Sequence, residues 1–220
     1  MIDARTAMLE RIRAGLGKGE GDGTSGGAKG AGAEYAAIPR EYIRRGKLDR
    51  EGVLEVFLEG LRDYDTHVVE TDGAGIAETI AGVLSGHGQK KVIVAEGFPA
   101  ELLPGDFRFS AESEAGVQQL NECDGVITTC TVAIAFTGSI VLTHGAGEGA
   151  RRLTLVPDRH LCVVRAEQVV ETVPEAFARL GAFATRPLTF ISGPSATADI
   201  EMTRIRGVHG PRFLDVVLVR

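Results

Sequence analysis

Apolar positions recur along the chain with two alternating periods, and the alternation outlines the fold. A helical stripe over Ala4–Leu16 carries Met8, Leu9, Ile12 and Leu16 among charges of both signs. A second, over Leu48–Tyr64, carries Val53, Leu54, Phe57, Leu58 and Leu61. Ile76–Leu84 repeats the pattern and meets a stop at Ser85-Gly86-His87-Gly88. Short β-branched runs intervene at Thr66–Val69, Lys91–Ala95 and Gly125–Thr129. Ser113–Leu120 reads as a helix. Thr131–Thr143 (TVAIAFTGSIVLT) reads as two strands, or one strand broken by a turn at Thr137-Gly138-Ser139. Beyond it the pattern predicts strands at Leu153–Val156 and His160–Val164, a helix over Glu167–Leu180, a strand at Leu188–Ser192, a helix over Ala198–Ile205, a turn at Gly207–Pro211 and a strand over Phe213–Val219. Strands alternating with helices of these lengths predict an α/β sheet layered by helices.

One stretch has neither period. Gly15–Gly32 holds nine glycines in eighteen residues and too little apolar surface to offset its backbone entropy, so it reads as a flexible linker. It lacks the preceding strand and the Gly-Lys-Ser/Thr ending of a phosphate loop. The expected organisation is therefore residues 1–33 as a helix plus linker, and 34–220 as one domain.

Composition narrows the function classes. With 24 Lys and Arg against 30 Asp and Glu, the net charge is −6, and a mildly acidic chain has no general attraction to nucleic acid or anionic lipid. No apolar run approaches the roughly 20 residues of a membrane helix, so no membrane insertion is expected and the chain reads as a cytoplasmic protein. Cys123, Cys130 and Cys162 fit no cluster or zinc spacing and read as small apolar side chains in a reducing compartment. The five histidines show no H-x-H or H-x-x-x-H spacing, so no metal is expected.

Candidate chemistry concentrates near the end of the chain. A strand enters Gly193-Pro194-Ser195, and Thr197 is placed to cap a helix opening with Asp199 and Glu201. A strand-to-helix turn of small residues suits an anion, although the pattern alone favours a well-capped turn with no ligand. His209, between Gly207 and Gly210-Pro211, is a candidate proton carrier or carboxylate ligand. With a helix between them, His209 is not expected to reach Ser195 by local folding. Thr137, Gly138 and Ser139 offer hydroxyls and open backbone, and His160 follows Pro157-Asp158-Arg159.

These residues carry a resemblance. The run Gly193-Pro194-Ser195-x-Thr197-Ala198-Asp199-Ile200-Glu201, then Gly207-Val208-His209-Gly210-Pro211 and an apolar strand, resembles the C-terminal signature of the lactate-utilisation (LUD) domain family. Thr137-Gly138-Ser139-Ile140-Val141-Leu142 and Leu155-Val156-Pro157-x-x-His160 fall where that family has them. The likeness covers roughly Glu34 to Arg220. Phe136 departs from it, standing where the family commonly has an acid. The resemblance implies a Rossmann-like layered sheet of the sugar-isomerase and coenzyme A transferase group. It also implies a part in oxidising L-lactate to pyruvate with two iron–sulfur partner proteins. This chain has too few cysteines to ligate a cluster itself, so no cofactor of its own is expected, and a small carboxylate or an anionic cofactor portion is expected at a cleft lined by Thr137, Ser139, His160, Ser195, Thr197 and His209. A non-catalytic assembly factor, or an independent sugar-phosphate or acyl-coenzyme A enzyme, are the alternatives on the same fold.

Overall fold

In the computed structural model, the described residues are 4–15, 35–39, 41–197, 205–207 and 209–220. The chain divides into two units, Met1–Tyr42 and Ile43–Arg220. The first contains helix α1 (Ala4–Gly15). The glycine-rich stretch from residue 16 onward, expected to be a linker, lies outside the described residues, as do Asp199 and Glu201.

The second unit is built on a six-stranded, wholly parallel sheet. Its strands are β1 (His67–Thr71), β2 (Val92–Val94), β3 (Phe109–Ala111), β4 (Gly125–Thr128), β7 (Arg159–Arg165) and β12 (Phe213–Val219), in the order β1-β12-β7-β4-β2-β3. A smaller sheet, β8-β5-β6-β9, comprises β5 (Val132–Ile134), β6 (Ser139–Leu142), β8 (Val169–Val170) and β9 (Thr189–Ile191). A two-stranded ribbon pairs β10 (Ala196–Thr197) with β11 (Ile205–Arg206). The mixed α/β class with a dominant parallel sheet is the one expected, and it is compatible with the narrower sugar-isomerase-like likeness.

Both faces of the large sheet are buried, as all-parallel sheets require. On one face, helix α2 (Arg50–Asp63) and the small sheet meet Cys162 and Val164 of β7 and Leu214, Val216 and Leu218 of β12. On the other, helix α3 (Ile76–Gly86) covers Leu161, Val163, Val217 and Val219. The period of two therefore sends adjacent residues of β7 and β12 into different layers. Asp49 caps α2 by accepting from the Gly52 N–H at 2.9 Å. Cys130 and Cys162 lie in the first core, and the Cys130 thiol is pushed well up by hydrogen bonding to Cys162 and by burial.

Three expected elements take another form, and a fourth lies almost wholly outside the described residues. Leu153–Val156 is a series of turns, because its burial does not alternate: Leu153 and Thr154 are both buried while Leu155 is exposed. Glu167–Leu180 is divided. A 3₁₀ turn and β8 precede helix α5 (Val173–Leu180), which starts where Thr172 and Glu175 form a reciprocal capping box and Pro174 follows. Of the helix expected over Ala198–Ile205, only Ile205 is among the described residues, and it is a strand residue paired with Thr197. Thr197, expected as a helix cap, is thus a ladder residue. Ser113–Leu120 becomes a 3₁₀ turn at Glu112–Glu114 followed by α4 (Val117–Glu122).

Candidate functional site

The β10–β11 ribbon changes the geometry expected near the end of the chain. An antiparallel ribbon folds back on itself, so it returns the 207–211 turn directly to Ser195. The Ser195 N–H donates to the Pro211 carbonyl at 2.8 Å, and the Gly207 N–H donates to the Ser195 carbonyl at 2.9 Å. The His209 N–H donates to Ser195 Oγ at 3.2 Å. His209 therefore reaches Ser195 by local folding, contrary to the helix-based expectation, and needs no second chain to do so.

These residues surround a cavity of about 250 Å³. Gly193, Pro194, Ser195, His209 and Gly210 form one wall, β9 and Ser192 a second, and His160, Arg151, Thr154 and Leu214 the rest. Gly193 has φ +81°, and a Cβ there would lie 2.4 Å from Cβ of Tyr64, so this corner of the wall admits no side chain. Arg151 supplies positive charge, with its Nη1 donating to Thr154 Oγ1 at 3.3 Å.

His160 is fully buried at this cavity, and its Nε2 is 2.7 Å from Thr128 Oγ1. Desolvation pushes its pKa down to about 4, against the pull of Asp215 and with the help of Arg151. At neutral pH the ring is uncharged. It is a hydrogen-bonding group and a weak base.

Thr137, Gly138 and Ser139 do not line the cavity. Thr137 Oγ1 donates to Ser139 Oγ at 2.8 Å, and Ser139 Oγ lies 2.6 Å from Ser192 Oγ, so the motif supports the cavity wall from behind. Gly138, at φ +56°, sits backbone to backbone against Gly60 of α2, where a Cβ would come within 2.6 Å. Phe136 faces solvent and is 76% exposed. Thr197 lies in the ribbon beside the lining residue Ala196.

Sequence reasoning missed the segment Thr143–Arg152, THGAGEGARR, which follows β6. Two buried carboxylates hold it. Glu148 accepts from the Thr143 N–H at 2.6 Å and from Thr131 Oγ1 at 2.5 Å. Glu112 accepts from the Ala150 N–H at 2.8 Å. His144 bridges the Gly149 carbonyl and Thr189 Oγ1, both at 2.8 Å. The segment delivers Arg151 to the first cavity and also walls a second, of about 610 Å³, beside Glu96, Gly97 and Glu112. The legible signal was the Gly-x-Gly-x-Gly run ending in two arginines just after a strand.

Comparison with known proteins agrees with this architecture. A crystal structure of a DUF162 family protein from Deinococcus radiodurans superposes with a TM-score of 0.70 at 37% identity, covering 79% of this chain and all of that one. A Deinococcus radiodurans protein named "Lactate utilization protein C" is 40% identical over 192 residues, 86% of this chain and 89% of the relative. Proteins of the same name from Exiguobacterium sp. and Bacillus subtilis are 27% and 23% identical, over 84% and 99% of this chain and 85% and 97% of theirs. Among the described residues, no helix is long and apolar enough to cross a membrane. The family model of the LUD domain matches residues 33–219, and with relatives this similar over most of its length the chain belongs to the LUD domain family.

Proposed function

We propose that this chain serves L-lactate oxidation in the cytoplasm as the subunit that holds the small carboxylate, beside iron–sulfur partners that take the electrons. The observation carrying the reading is the polar cavity at Arg151, His160, Ser195 and His209, in a chain whose relatives are named for lactate utilization. Lactate and pyruvate are anions at neutral pH, and Arg151 with neighbouring hydroxyls and amides is a suitable set of partners. About 250 Å³ is smaller than the roughly 300–1,000 Å³ of drug-sized sites, which favours a three-carbon acid over an acyl-coenzyme A. Lactate gives up two electrons and two protons in becoming pyruvate. Three cysteines cannot supply the four thiolates of an ordinary iron–sulfur cluster, so the electrons leave for another protein. His209, exposed at the rim, is placed to pass a proton to solvent, and neutral His160 to orient the substrate.

Calorimetry of the full chain with lactate, pyruvate and sulfate tests the ligand. Saturable binding of the two carboxylates is expected, weakened at least tenfold in Arg151→Gln. No saturable heat at millimolar ligand overturns it. Complementation of growth on lactate separates the roles: His209→Gln is expected to abolish growth while remaining folded. A chain that binds neither acid yet is required for growth is an assembly factor.

A further inference from the structure

Across the large sheet from the cavity lies a second polar cluster, assembled from three distant segments. His67 opens β1, His87 caps the C-terminus of α3, and Asp215 sits on β12 in register with His67. His67 Nδ1 is 2.9 Å and His87 Nε2 is 3.2 Å from the same oxygen, Asp215 Oδ1. The three candidate ligand atoms all lie within 4.8 Å of one another. We propose that His67, His87 and Asp215 form a zinc-binding site on the α3 face of the parallel sheet, with water completing the coordination.

The geometry suits that ion. Zinc bonds to nitrogen and oxygen of about 2.0 Å give tetrahedral ligand–ligand edges of about 3.3 Å, close to the two separations seen. The imidazole rings stand at 85° with centroids 5.7 Å apart, so their nitrogens converge edge to face without stacking. Two imidazoles with one carboxylate select zinc and its transition-metal neighbours over calcium or magnesium, which prefer oxygen alone. Asp215 is 1% exposed, and its other oxygen accepts from Arg159 Nη1 at 2.9 Å. Arg159 is in turn held 4.4 Å over the Phe213 ring. This outer pair fixes the carboxylate so that Oδ1 faces the histidines. Arg159 also offsets the carboxylate charge, so the site is looser than a four-ligand structural one. The histidine side chains are 53% and 32% exposed, which leaves the open coordination position to water.

Cobalt(II) is the spectroscopic probe. The full chain, stripped with chelator, is expected to bind one equivalent with visible d–d absorption and no thiolate charge-transfer band, and one equivalent of zinc should displace it. His67→Gln and His87→Gln are each expected to weaken binding at least tenfold, the lower end of what loss of even an outer-shell partner costs. Both positions are partly exposed, and metal-free melting curves establish that the variants fold. The proposal is overturned by absence of saturable binding, by unchanged affinity in both variants, or by a thiolate band, which would assign the metal to the cysteines.

Discussion

His160 and the His67–His87 pair face opposite sides of one sheet, near the amino ends of its strands. One ring is buried against the Thr128 hydroxyl and stays neutral well into the acid range. The other two are partly solvated and share one carboxylate. The residues that create this contrast are adjacent in sequence: Arg159 and His160 on β7, Leu214 and Asp215 on β12. A half-turn per residue sends His160 and Leu214 to the cavity and Arg159 and Asp215 to the ionic cluster. A strand two residues wide in its chemistry can serve two unlike sites provided the sheet between them is sealed on both faces.

The largest expected effect is on the ionic side. Asp215→Ala should cost about 4 kcal/mol in urea denaturation, because Arg159 is left largely buried without its carboxylate. A loss below about 1 kcal/mol would make the cluster ornamental. His160 comes next, and its effect depends on pH. Its folded pKa lies below the unfolded value, so the unfolded chain takes up the proton first. Stability therefore falls as pH drops from about 6.5 to about 4, by roughly 3 kcal/mol for this group. His160→Gln should remove that component, so the difference between the two pH profiles isolates it; parallel profiles would mean the ring is not buried in solution. Thr128→Val, which removes the hydroxyl bonded to His160, should cost about 1 kcal/mol by the same measurement. Smallest is His67→Gln, expected within about 0.5 kcal/mol of the parent without metal, since the side chain is half-exposed.

Much of this architecture was legible because β7 and β12 are apolar over Leu161–Val164 and Val216–Val219 and α2 carries an unbroken stripe. Those patterns are local consequences of burial. Where burial and period part company the reading failed: Leu153–Val156 is apolar at intervals but buried by turns. At 167–180, Thr172 and Pro174 marked a helix start that a longer apolar stripe concealed. The candidate site was legible in its parts, since Gly193, Ser195, His160 and His209 share a cavity. Its assembly was not, because nothing in the apolar pattern announces that Ala196–Thr197 pairs with Ile205–Arg206 and so brings His209 back to Ser195. The metal-type cluster was invisible for a simpler reason: His67, His87 and Asp215 are brought together only by strand register and a helix end.

The order in which the chain visits its two sheets has a consequence for how it forms. From β4 it leaves for β5 and β6, returns for β7, leaves again for β8 and β9, and returns for β12. β12, after every other strand in chain order, inserts between β1 and β7. During synthesis β1 consequently has no partner until Phe213–Val219 leave the ribosome. The growing chain carries an unpaired strand edge for most of its translation, and closure of the sheet is a late, long-range and therefore slow event. Removing β12 should leave β1 unpaired and the nascent chain dependent on chaperones, whatever is bound in either site.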